Sequence, residues 1–96
     1  MNKFAKVKQM NEQHKEIMLI AQEECAEVTQ AISKVFRFGI DAEHNGASNR
    51  DRLEEEIGDL LCMFDLMVEK EIIDMVAVLD AKQRKLEKLK IWSGIV

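Results

Sequence analysis

Apolar residues recur at intervals of three and four along three long stretches of this chain, and proline, the residue that interrupts helices most strongly, is absent. The stretches cover about residues 3–38, 48–69 and 72–91, and a break near Asn11 is left open because Asn can cap a helix. The segment 39–47 contains Gly39, Asp41, Asn45 and Gly46 and reads as a surface loop. The pattern therefore predicts an all-α chain.

The second of these stretches is apolar around more than half of its circumference. One face carries Leu53, Ile57, Leu61, Phe64 and Val68, and a wider arc adds Leu60, Met63, Leu66 and Met67. Such a helix has to be covered on two sides, which a chain of only 96 residues can hardly achieve alone. We therefore predict a small bundle of about three to four helices that is completed by oligomerisation, as a homodimer or homotetramer.

Charge and composition exclude several classes of partner. The formal charge is -4, and no broad basic face suits a phosphate backbone, so no nucleic-acid partner is expected. No apolar run is long enough for a membrane span, and no signal peptide is recognised. Cys25 and Cys62 form no CxxC pair and are expected to be reduced thiols in the core of a cytoplasmic protein, while His14 and His44 are expected at the surface.

Two acidic motifs point to chemistry. The stretch EECAE contains Glu23, Glu24 and Glu27, and the later stretch EIGD contains Glu56 and Asp59. Both spacings place carboxylates on one helical face, where like charges repel unless a cation lies between them. Two such faces brought together would form an all-oxygen site of the kind that magnesium prefers.

The position of Glu24 strengthens this interpretation. On a helical wheel at about 100° per residue, Glu24 falls within the apolar stripe that Ile17, Ala21, Val28 and Ala31 form. Burial of an ionised carboxylate is costly unless the group is paired, protonated or bound to a metal. Something must therefore neutralise Glu24.

These motifs carry a resemblance to a known family. The strings EECAEVTQAISKVFRFG and LEEEIGDLLCMFDLM, with an Asn-containing loop between them, resemble the MazG-like, all-α nucleoside triphosphate pyrophosphohydrolases, particularly the short forms of phages and bacteria. The resemblance covers the chain from about Glu16 to the KLKIWSG ending. It implies a single MazG-like domain over residues 1–96 and hydrolysis of a nucleoside triphosphate, ribose or deoxyribose, to its monophosphate and pyrophosphate.

The resemblance also implies the site. The expected metal ligands are Glu24, Glu27, Glu56 and Asp59, holding two or more Mg²⁺ ions for which Mn²⁺ is expected to substitute. Such ions neutralise phosphates and lower the pKa of bound water, which would attack the α-phosphorus. Glu23 and Glu24 are the expected catalytic residues, with Glu23 either orienting a ligand or serving as the general base.

Substrate contacts are less strongly specified. Lys34 lies two turns beyond Glu27 on the same flank and could reach a phosphate tail. The other candidates are Arg37, Lys82 and Lys85 for phosphates, Gln13 and Ile17 for pocket walls, and Asn49 for an amide that reads the base. The sequence does not indicate which nucleobase the substrate carries.

Three alternatives stay open at this point. A phosphoribosyl-ATP pyrophosphohydrolase is similar in fold and acidic motifs. A non-enzymatic helical interaction protein would explain the amphipathic helices but leaves Glu24 unexplained. A di-iron bundle would require Glu-x-x-His pairs on two helices, but the sequence contains none, and the related string from Asp41 to His44 lies in the predicted loop.

Overall fold

Three α-helices and one short β-hairpin make up the computed structural model, which describes residues 7–96. Helix α1 spans Glu12–Phe38, strands β1 and β2 span Glu43–His44 and Ala47–Ser48, and helices α2 and α3 span Asn49–Glu69 and Met75–Trp92. The predicted helical class is confirmed, because the two strands contain only two residues each.

Helix α1 begins later than the periodicity predicts. The Asn11 side chain accepts a hydrogen bond from the His14 N–H at 2.8 Å, and the His14 Nδ1 accepts one from the Asn11 N–H at 3.2 Å. This capping box makes Asn11 the N-terminal cap, so α1 starts at Glu12 and residues 7–11 are not helical. The part of the predicted helix before residue 7 lies outside the described residues. The prediction that His14 lies at the surface is therefore wrong, because the side chain that caps the helix is buried.

The segment predicted as a loop contains a hairpin. Strands β1 and β2 pair antiparallel with His44 opposite Ala47, and the turn between them consists of Asn45 and Gly46. Both turn residues have positive φ, at 55° and 82°, which is the backbone of a type I′ turn. The hairpin contacts the start of α2, and the Arg52 guanidinium donates a hydrogen bond to the His44 carbonyl in β1.

Helices α1 and α2 pack against each other in antiparallel orientation. Their core consists of Ile17 and Ala21 from α1 and Met63 and Met67 from α2, and at the other end Asn49 reaches the carbonyl of Lys34. Four further apolar residues pack around this core: Ile20, Leu66, Ile72 and Ile73. The core is small, which leaves one chain with little buried apolar surface.

Helix α3 starts at Met75 and not near residue 72. Ile72 and Ile73 pack onto the α1–α2 core, and the Asp74 side chain then caps α3 by accepting a hydrogen bond from the Ala77 N–H. Within the described residues α3 buries no side chain, and it is not extensively packed against either of the other helices. The molecule is accordingly flat, with extents of 51 × 37 × 14 Å.

Two further expectations from the sequence concern the cysteines and membrane-spanning helices. Cys25 and Cys62 are free thiols as expected, but both are exposed and lie outside the core. Within residues 7–96, no helix combines the length and the hydropathy that crossing a bilayer requires.

Candidate metal and phosphate site

The antiparallel packing of α1 and α2 brings the two acidic motifs together. Glu24 on α1 and Glu56 and Asp59 on α2 each present an oxygen, and these three oxygens lie within 4.8 Å of one another. We call these three residues the carboxylate cluster. Glu24 and Glu56 are half-buried and Asp59 is exposed, so the cluster opens to solvent on one side.

Helix geometry explains why these side chains converge. Glu24 lies between the buried residues Ala21 and Ala31 on the side of α1 that faces α2. Glu56 and Asp59 are three residues apart and therefore share a face of α2. The apolar contacts that pack the helices thus also force three acidic groups into proximity.

Burial and mutual repulsion both disfavour the ionised forms. Desolvation raises the pKa of Glu24 above its ordinary value of 4.5, and the charges of Asp59, Glu27 and Glu23 raise it further. Desolvation likewise raises the pKa of Glu56, followed by the charges of Glu27, Asp59, Glu24 and Glu55. A cation would relieve both the repulsion and the lost hydration.

The remaining predicted acidic residues lie at the edge of the cluster. Glu27 is exposed and lines a cavity of about 160 Å³ together with Glu56. Glu23 is also exposed and acts on Glu24 through its charge. Neither belongs to the group of oxygens within 4.8 Å.

Two basic side chains adjoin the acidic residues in the same cavity. Lys34, one of the predicted phosphate contacts, lines it from α1, and Arg52 lines it from α2. Arg52 is absent from the sequence-based candidates, although its spacing of four residues from Glu56 places the two on one helical face. That spacing is the signal that would have found it.

Asn49 also lines this cavity, but its amide nitrogen is engaged by the backbone. The side chain is buried and donates hydrogen bonds to the Gly39 carbonyl at 2.8 Å and the Lys34 carbonyl at 3.4 Å. The Gly39 carbonyl at the end of α1 has no partner within that helix, and the hydrogen bond from Asn49 satisfies it. In the structure Asn49 thus joins α2 to the end of α1 and does not present this nitrogen to a base.

The other predicted substrate contacts lie apart from the cavity. The Arg37 guanidinium stacks over the Phe38 ring, with its central carbon 4.9 Å from the ring centroid, and the Lys85 ammonium lies 4.7 Å from the centroid of Trp92. Lys82 shares the exposed helix α3 with Lys85. Gln13 is exposed near the start of α1, and Ile17 is part of the hydrophobic core.

The donors of the carboxylate cluster match the preferences of a hard divalent cation. All three are carboxylate oxygens, as Mg²⁺ and Ca²⁺ require, and no thiol or imidazole accompanies them. The adjoining Lys34 and Arg52 add groups that bind phosphate oxygens. The carboxylate cluster and these two basic side chains together can bind a metal ion and a phosphate group at adjacent positions.

One comparison with known proteins, against models of protein families, gives a match that covers most of the chain. Neither the curated proteins nor the solved structures gave a match. The model of the MazG nucleotide pyrophosphohydrolase domain matches residues 12–90, a span that begins with α1 and contains both acidic motifs. The match confirms the resemblance inferred from the two motifs, and the chain belongs to the MazG nucleotide pyrophosphohydrolase domain family.

Proposed function

We propose that this protein is a magnesium-dependent pyrophosphohydrolase that converts a nucleoside or deoxynucleoside triphosphate to the monophosphate and pyrophosphate. The observation that carries the proposal is the carboxylate cluster, because three acidic oxygens within 4.8 Å leave unrelieved repulsion at the site where the family's two motifs meet. We place the reaction in the cytoplasmic nucleotide pool.

Glu24, Glu56 and Asp59 are the side chains that would hold the first ion. Glu27, which lines a cavity together with Glu56, would help to hold a second. When bound, Mg²⁺ or Mn²⁺ would supply charge neutralisation of the phosphates and activation of the attacking water. Glu23 acts on Glu24 through its charge and would orient that carboxylate or accept the proton of the water.

The reaction is a displacement at the α-phosphorus. The water oxygen forms a bond to this phosphorus, the bond from the α-phosphorus to the oxygen that bridges it to the β-phosphorus breaks, and the water proton passes to a carboxylate and then to solvent. Lys34 holds phosphate oxygens while this happens, since it lies beside both Glu27 and Glu56 in one cavity. Arg37, Lys82, Lys85, Gln13 and Ile17 do not line that cavity, so any contact they make would require another part of the substrate or another subunit.

We also infer that the active form is a homodimer or homotetramer. Large apolar side chains are exposed along α2 and α3, and the core of one chain is small. A second copy would cover this surface and complete the bundle.

The test is a substrate panel with magnesium. The purified protein is incubated with the common ribonucleoside and deoxynucleoside triphosphates and with phosphoribosyl-ATP, and the products are separated. We expect monophosphate and pyrophosphate in equal amounts, with ¹⁸O from labelled water appearing in the monophosphate. Cleavage of phosphoribosyl-ATP alone would favour the related enzyme class, and no turnover of any compound would favour a helical interaction protein.

A further inference from the structure

A second cavity adjoins the one beside the carboxylate cluster. It measures about 600 Å³ and lies between the end of α1 and the hairpin, with Phe38, Ala42, His44 and Asn45 among its lining residues. Lys34, Asn49 and Arg52 line both this hairpin pocket and the smaller cavity. The two cavities therefore adjoin, and we call them together the trough, which leads from Glu56 of the carboxylate cluster past Lys34 and Arg52 to the hairpin.

Arg52 lies where the two cavities join. Its guanidinium donates a hydrogen bond to the His44 carbonyl in β1, so the hairpin fixes its direction. In the part of the chain that the structure describes, neither Arg52 nor Lys34 forms an ion pair, although Glu27, Glu55 and Glu56 line the same cavity. Two cations thus stay available at the junction, and a half-buried arginine is suited to binding phosphate oxygens with two N–H groups.

The hairpin pocket differs in character from the smaller cavity. Its volume falls in the range of small-molecule sites, and apolar atoms make up most of its exposed wall, although Phe38 and Ala42 are its only apolar lining residues in the described part of the chain. Phe38 contributes an aromatic ring that is 60% exposed, whereas rings with a packing role are normally covered. Glu43, His44 and Asn45 from the hairpin also line the pocket and add polar groups. Such a pocket fits a flat, partly polar ring system and not a further phosphate.

Carboxylates, basic side chains and the hairpin pocket follow one another along the trough. From this order, we propose that Lys34 and Arg52 bind the phosphate next to the nucleoside, and that the hairpin pocket holds the nucleoside itself, with Phe38 against the base. The proposal rests on the proposed function and adds the direction in which the substrate lies. The β- and γ-phosphates then point away from the hairpin, toward the carboxylate cluster. The α-phosphorus lies between the cations and the carboxylates, where the displacement takes place.

The experiment measures binding, so it does not depend on turnover. The probes are inorganic tripolyphosphate and the α,β-methylene analogues of the four deoxynucleoside triphosphates, whose bond to be cleaved is not hydrolysable. Their dissociation constants are measured by calorimetry in the presence of magnesium, for the wild-type protein and five variants. Arg52→Gln has a matched control in Arg50→Gln, because Arg50 pairs with Asp41 outside the trough.

Phe38→Ala likewise has a matched control in Phe36→Ala. Both rings are near the end of α1, but Phe36 is 86% exposed and lines neither cavity. Circular dichroism of each variant verifies that the helices form. Arg52→Lys, which keeps the charge, shows whether an effect of Arg52→Gln comes from the lost phosphate contact or from a displaced hairpin.

We expect Arg52→Gln to weaken both the nucleotide analogues and tripolyphosphate by roughly tenfold or more, with Arg52→Lys recovering part of the loss. Phe38→Ala should weaken the preferred analogue by about fivefold or more and leave tripolyphosphate within about twofold. The two control variants should bind both probes like the wild type.

The proposal is overturned if Arg52→Gln binds as the wild type does, if Phe38→Ala weakens neither probe or both equally, or if the wild type binds tripolyphosphate as tightly as every analogue. These failures are distinct from failure of the proposed function. If the wild type releases pyrophosphate while Arg52→Gln and Phe38→Ala bind normally, the proposed function stands and the proposed substrate orientation is wrong. If the analogues bind as expected but no triphosphate is cleaved, the orientation stands and the proposed function is wrong.

Discussion

Glu24 has the least favourable environment of the acidic residues in the site. It is half-buried beside the acidic side chains of Glu56 and Asp59. Its pKa is raised first by desolvation and then by the charges of Asp59, Glu27 and Glu23. No basic side chain in the described part of the chain pairs with it. At the scale of single residues, this is the signature of a group that is kept for its function at some cost to stability.

Replacement of Glu24 by glutamine separates these two roles. Glu24→Gln keeps the shape but removes the charge, so we expect pyrophosphate release to fall by at least about 100-fold, while the melting temperature of the metal-free protein is unchanged or higher. Activity assays and thermal unfolding in the presence of a chelator measure the two effects. Glu54→Gln, an exposed change on α2, serves as control. A large loss of metal-free stability would mean that Glu24 has a structural partner.

The raised pKa values predict how stability depends on pH. Glu24 and Glu56 hold their protons more tightly when folded than the ordinary value of 4.5 allows, so the folded state binds more protons than the unfolded state. Their contribution is therefore fully present below the unfolded pKa and is lost as pH rises through the folded values. Relative to a Glu24→Gln, Glu56→Gln variant, the metal-free wild type should lose stability as the pH rises above the ordinary glutamate pKa of 4.5. Urea unfolding at each pH gives the difference, and parallel curves would contradict the prediction.

The sequence was sufficient to predict the cluster but not the whole site. Glu24, Glu56 and Asp59 are predictable because helical spacing fixes their faces and the apolar stripes fix which faces meet. The proximity of Arg52 to Lys34 depends on how α1 ends and how the hairpin turns, and neither has a periodic signal. The same holds for Asn49, whose burial follows from the hydrogen bonds it donates across the connection.

At the scale of elements, local chemistry decides where helices stop. Asn11, Ser48 and Asp74 each accept a hydrogen bond at a helix start, and the last of these moves α3 to Met75 so that Ile72 and Ile73 can cover the core. The Asn45–Gly46 pair was a readable hairpin signal, but its flanking strands have only two residues and no alternating pattern. Periodicity therefore predicts the helices and misses the hairpin.

Asn49 is the side chain that joins these elements, and its removal tests whether it is structural. Asn49→Ala leaves the Gly39 and Lys34 carbonyls without this donor, so we expect the free energy of unfolding to fall by about 1–3 kcal/mol. Asn49→Asp, which replaces the donor by an acceptor, should be at least as destabilising. Chemical denaturation measures both. Unchanged stability together with weakened nucleotide binding would restore the base-reading role that the sequence suggested.

At the scale of the whole molecule, the described chain has more apolar surface than it can bury. On α2, Ile57, Leu61 and Phe64 follow each other at helical spacing and are all at least 40% exposed. On α3, Val76, Leu79 and Leu86 are each more than a third exposed, and the described chain is only 14 Å thick in its shortest dimension. The sequence predicted that α2 is apolar on two sides. It did not predict which surface covers the outer side, because hydrophobic periodicity identifies an apolar face but not the face that packs against it.

The last prediction follows from this surface. A monomer would leave these stripes in water at about 25 cal/mol per Å² of apolar area, whereas a second copy would bury them and add the helix contacts that one chain lacks. Light scattering at micromolar concentration should therefore report a dimer or tetramer, and the melting temperature should rise with protein concentration. Leu61→Glu places a charge at the centre of the α2 stripe, where the wild-type side chain is 55% exposed, and should shift the mass toward the monomer and lower the melting temperature. A wild-type monomer with a concentration-independent melting temperature would show that the stripes are tolerated in solvent, and the trough beside the carboxylate cluster would then have to act within one chain.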